Sequence, residues 1–149
     1  MRNLVTLVIM LAAAAVALSA TKGAAVIPAE ITKQDQSGKI FERPDMERTE
    51  HENGNVTLDV TTLLSSDKKF ASGMYQAGKS YWEAKDAYGV DEFMYFLEGG
   101  VKLTSSDGTV QTINAGEAVT IPKEWTGIWE TDGYRKIWVI YSDDGSAFE

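Results

Sequence analysis

The sequence predicts an all-β domain of the sandwich or barrel kind, and three observations carry that prediction. From Val56 onward the chain breaks into about nine or ten short β-type runs at regular spacing, separated by turn residues. Outside the extreme N-terminus no stretch shows a helical period. The sharpest local signal is a hairpin: Val101–Thr104 alternates, Ser105-Ser106-Asp107-Gly108 turns, and Val110–Ile113 returns.

Length and composition bound the rest. A chain of 149 residues has room for one domain with a sizeable core. The formal charge is −8, from 14 basic and 22 acidic residues, without a basic cluster or stripe, which argues against a nucleic-acid partner. The absence of Cys excludes disulfides, a thiol nucleophile and a thiolate metal site.

In order, residues 1–20 read as a signal peptide. Arg2 supplies the positive start, Leu4–Leu18 is an uncharged apolar run, and Ser19-Ala20 provides a small-residue exit. Export to the periplasm or outside the cell follows, with no membrane attachment once the leader is cleaved. Residues 21–55 read as an irregular polar arm in which Ile31, Ile40 and Phe41 are isolated apolar anchors. Residues 56–149 form the β-domain. Its expected runs are Val56–Val60, Lys69–Tyr75, Ser80–Ala84, Glu92–Glu98, Val101–Thr104, Val110–Ile113, Ala118–Ile121, Thr126–Thr131 and Arg135–Tyr141. Gly73, Gly99, Gly108, Gly116 and Gly133 read as turn glycines.

The run Glu92–Glu98 stands out. Gly99-Gly100 is expected to end it, and both of its faces carry apolar side chains, as in a strand buried between two layers. Phe93, Tyr95 and Leu97 share one face; Glu92, Met94 and Phe96 share the other. A carboxylate in such a setting is either paired or working.

The spacing Glu92-x6-Gly99, followed by Gly116-x5-Pro122, resembles the two motifs of the cupin superfamily. Asp91-Glu92-Phe93, Asp107-Gly108, Ile121-Pro122, Gly127-Ile128-Trp129-Glu130 and Arg135-Lys136-Ile137 resemble the ureidoglycine aminohydrolase-type cupin domain over roughly residues 70–141. The resemblance implies a cupin jelly-roll barrel, a double-stranded β-helix, and a homodimer. Metal-binding cupins carry a His-x-His pair before the motif glutamate and a further His after the second-motif proline. Here those places hold Ala84–Tyr88 and Gly127, and the single histidine, His51, lies in the arm. No metal and no cofactor are therefore expected.

By the same alignment Glu92, Met94, Phe96, Gly127 and Trp129 point inward as ligand-binding residues, with Gly127 opening space near the barrel mouth. Lys136, in phase with Trp138 and Ile140, is placed to meet Glu92. That pair is either a structural ion pair or a pair of catalytic candidates. The expected function is binding of a small polar organic molecule. A metal-independent isomerase or hydrolase acting on an amide-like or sugar-like substrate, and a non-catalytic structural or dimerisation protein, are the alternatives.

Overall fold

The computed structural model describes residues 25–149; the expected signal peptide lies outside the described residues. Alternating, β-branched and aromatic runs form seven strands: β1 (Glu47–Glu50), β2 (Val56–Leu64), β3 (Phe70–Ala84), β4 (Asp91–Ser105), β5 (Val110–Asn114), β6 (Ala118–Ile121) and β7 (Gly127–Tyr141). They hydrogen-bond in the order β1-β2-β3-β7-β4-β5, with β6 also on β4. Every pairing is antiparallel. The architecture is all-β and consistent with a jelly roll.

Runs expected to be separate are joined. β3, β4 and β7 are each 15 residues long, and each passes through glycines expected to end a strand. Gly78 faces Gly133, and Gly133 faces Gly100, so three adjacent strands turn one corner at the same level. β4 also slips register between Phe96 and Glu98 and again between Gly100 and Lys102; such bulges bend a strand without ending it. At Gly99, φ is 67° and a Cβ would stand 2.0 Å from the Gly133 carbonyl oxygen, so only glycine fits. Beyond the corner β4 pairs with β5; before it, with β6. One sheet thus wraps a core containing Met94, Phe96, Val101, Leu103, Ile113 and Trp129.

The expected two-sided burial of β4 is corrected. Glu92, Met94 and Phe96 are buried, but Phe93 and Tyr95 are 42% and 38% exposed, because no layer covers that face of the strand at their level.

The described part of the expected irregular arm is structured. Thr32 and Asp35 form a capping box at α1 (Lys33–Gln36), and a 3-10 turn follows at Lys39–Glu42. Ile40 and Phe41 pack with Val60 and Met74 on the outer face of the sheet, flanked by Leu58, Leu97 and Ile137. β1 then pairs with β2 of the same chain.

Candidate functional site

Sheet register assembles the site. Asp59 on β2, Tyr75 on β3, Lys136 on β7 and Phe96 on β4 are successive cross-strand neighbours. Four residues from Phe96 along the same face of β4 lies Glu92. Lys136 Nζ reaches it and donates to Glu92 Oε1 at 2.6 Å, and also lies 3.0 Å from Met94 Sδ. Both charged residues are inside, Glu92 at 4% and Lys136 at 5% exposure. The ammonium also sits 5.4, 5.6 and 5.7 Å from the ring centres of Tyr75, Trp129 and Tyr134, within cation–π range.

The second oxygen of Glu92 accepts from the Tyr88 hydroxyl. Tyr88 is brought there by the loop between β3 and β4: its backbone N–H donates to the Trp125 carbonyl at 3.0 Å, and that of Gly89 to Lys123 at 2.8 Å. Trp82 stacks between Tyr88 and Trp129, with ring centres 6.1 and 6.0 Å away. Together these groups line a cavity of about 260 Å³, completed by Asp59, Tyr134 and Trp138. A larger groove of about 620 Å³ crosses the outer surface past Lys79, Lys102, Glu130 and Asp132. Its charges are exposed ion pairs, Lys79–Asp132 and Lys102–Glu130, which solvent screens, so the smaller cavity is the better candidate.

Burial raises the Asp59 carboxyl above the ordinary aspartate value; the Trp138 hydrogen bond and the Lys136 charge oppose that rise without cancelling it. Burial also raises the phenols of Tyr75, Tyr88 and Tyr134, and the charge of Glu92 adds to the effect. All three phenols are therefore neutral hydrogen-bond donors across the physiological range.

Among the residues expected to line the site, Glu92, Lys136 and Trp129 come together at the cavity. Met94 and Phe96 face inward but are wholly buried in the core; Met94 backs Lys136, and Phe96 packs edge-on against Tyr134 at 5.4 Å. Gly127 does not line this cavity. A Cβ there would stand 2.7 Å from the Trp125 ring and 2.3 Å from the Thr104 carbonyl oxygen, so Trp125 fills the gap. Asp59, Tyr75, Tyr88, Tyr134 and Trp138 are cavity residues that sequence reasoning missed. Tyr88 carried a signal, since it stands four residues before Glu92 where metal-binding cupins keep imidazoles. Asp59 carried only its place between the apolar Leu58 and Val60.

The donor set does not fit the divalent metal of metal-binding cupins. Both Glu92 oxygens are engaged by Lys136 and Tyr88, and among the described residues no three His, Cys, Asp or Glu side chains cluster. Such sites need about three or more ligands of these kinds.

Residues 64–137 match the family described as the EutQ-like cupin domain. The chain carries a cupin-family domain. No curated protein sequence matches the chain. Among solved structures, the chain is similar to the EutQ protein of Clostridium difficile, with 20% identity, TM-score 0.53, and coverage of 64% of this chain and 75% of that one. It is also similar to ectoine synthase from P. lautus, at 17% identity and TM-score 0.53, covering 70% and 73% of the two chains. The cupin domain of Schizosaccharomyces pombe Cnp3 aligns at 12% identity and TM-score 0.50, over 67% and 71%. At these identities the likeness shows the cupin fold alone.

Proposed function

We propose that this cupin domain binds a small polar organic molecule in the Glu92–Trp129 cavity without a metal, as an exported protein acting as a homodimer. The observation that carries the reading is the Lys136–Glu92–Tyr88 chain, buried along one wall of an aromatic-lined cavity. A volume of about 260 Å³ lies just under the usual range for drug-sized ligands, which starts at about 300 Å³, and suits a metabolite-sized guest. Trp129, backed by Trp82, provides an aromatic wall for a guest, and neutral phenols provide donors. The leader expected at 1–20 supports export, and the exposed Phe93 and Tyr95 on β4 support a subunit contact.

Asp59 favours a second reading. A carboxyl raised by burial beside a charged pair is the arrangement of a general acid/base, as in a metal-independent isomerase or hydrolase of amide-like or sugar-like substrates.

A thermal-shift screen of small metabolites, run with and without chelator, tests the proposal. Hits that stabilise the protein equally in both conditions, and that Trp129→Ala abolishes, are the expected result. Stabilisation that depends on added divalent metal would overturn it.

A further inference from the structure

The cavity carries an unbalanced charge. Its lining holds two carboxyl groups, those of Glu92 and Asp59, and one ammonium, that of Lys136. Glu92 is matched by Lys136 at 2.6 Å and capped by Tyr88, which leaves neither of its oxygens free of a protein donor. Asp59 is different. Its Oδ1 accepts from Trp138 Nε1 at 3.1 Å, while its Oδ2 takes part in no side-chain hydrogen bond among the described residues. The described residues contain no buried side-chain oxygen or nitrogen without a partner, so Oδ2 keeps accessible surface, and Asp59 is one of the cavity's lining residues; the Val60 backbone also favours its ion. Asp59 is held in this posture: a Cβ on Gly73 would stand 2.5 Å from the Trp138 ring, so the missing side chain seats the indole that grips Oδ1. The remaining walls include Trp82, Tyr88, Trp129, Tyr75 and Tyr134; aromatic rings of this kind attract cations, and Lys136 already lies over Tyr75, Trp129 and Tyr134.

The geometry points to a small organic cation, a primary ammonium or a guanidinium, as the ligand class of this cavity, anchored on Asp59 Oδ2 with its body against Trp129. This rests on the binding reading above and adds the charge of the guest. A cation restores neutrality to a lining that otherwise holds two carboxylates and one ammonium, and its N–H groups supply the donors that Asp59 lacks. An anionic guest would meet that carboxylate, and a neutral one would add no charge to offset it.

Benzylammonium, benzyl alcohol and benzoate form a test set with one ring and three charges. Binding is followed by the fluorescence of the full chain, since Trp82, Trp129 and Trp138 line the cavity, and checked by calorimetry. Benzylammonium is expected to bind about tenfold or more tighter than benzyl alcohol, as for a hydrogen bond to a charged group, with benzoate weakest. In Asp59→Asn the preference should collapse while benzyl alcohol is unaffected. Trp129→Ala should weaken all three probes. If the probes depend on Trp129 but benzoate or benzyl alcohol binds as well as benzylammonium, the charge inference falls and the cavity reading stands. Failure of all three to bind, or binding indifferent to Trp129, overturns both. The wild-type order alone is decisive if Asp59→Asn does not fold.

Discussion

Lys136 and Glu92 form an ion pair with almost no water access, and pairs of this kind are unforgiving of half-removal. Glu92→Gln leaves the ammonium among aromatic rings and Met94 without its counter-charge, and should cost about 3–5 kcal/mol of stability. Lys136→Met in the same chain should recover much of that loss, because both desolvation costs then vanish. Denaturant unfolding of the two single variants and the double variant measures this; full additivity would show that the two residues act independently. Asp59 should behave in the opposite way. Its folded-state pKa is raised, so between the ordinary aspartate value and the raised one the folded state binds more protons than the unfolded state. Stability therefore falls as pH rises through that window, and the loss persists at neutral pH. Neighbouring charge modulates the effect, Lys136 favouring the ion and Glu47 opposing it. Asp59→Asn should remove the downward slope and melt no lower than the parent at pH 7. A wild-type melting temperature that climbs through the same window would contradict the assignment. A residue whose ion weakens the fold while facing a cavity fits a functional role better than a structural one.

At the scale of elements, the glycine corner decides the architecture. β3, β4 and β7 stay continuous through Gly78, Gly100 and Gly133 because those residues face one another in register. The corner carries the sheet around its own core, so residues from β2, β3, β4 and β7 converge on one cavity. Gly99→Ala should be among the most damaging single changes in the chain. It combines a left-handed backbone with a Cβ 2.0 Å from the Gly133 carbonyl oxygen, and a cost of about 3 kcal/mol or more is expected from strain and displaced strand pairing. Chemical denaturation reads this directly; a loss below about 1 kcal/mol would mean that the corner is more pliable than its geometry indicates.

At the scale of the molecule, the sheet is covered on two sides by different means. Its inner face closes on itself, whereas part of its outer face is covered by the segment around α1 and the 3-10 turn. Arg135 ties the two together: Nη1 donates to the Gln36 carbonyl at 3.2 Å and Nε to the Gln76 side chain at 3.1 Å. Ile40, at 2% exposure, and Met74, at 0%, meet across this seam. Ile40→Ala should cost about 2–5 kcal/mol, the range for a buried large-to-small change. Because the seam lies on the face opposite Lys136, ligand affinity below the melting transition should be unchanged. A cavity affinity that drops with Ile40→Ala would show that the outer covering also sets the pocket.

By itself the sequence determined the all-β class, the positions of most turns, the inward phase of Glu92, and the reach of Lys136 toward it. Those are local matters, since a period of two and the turn chemistry of Ser105–Gly108 are legible within a few residues. The tertiary structure decided what depended on long-range register. It joined the runs across Gly78, Gly99-Gly100 and Gly133, because whether a glycine ends or bends a strand depends on the neighbours that hydrogen-bond beside it. It left Phe93 and Tyr95 exposed, since burial of a second face requires a second layer and nothing local says where that layer stops. It closed Gly127 with Trp125, and it brought Asp59, Tyr75, Tyr88 and Tyr134 to Glu92 from separate strands and loops. A binding cavity is made of such meetings, and in this protein a carboxylate with no distinctive local pattern acquires its place through three strand pairings and one seated tryptophan.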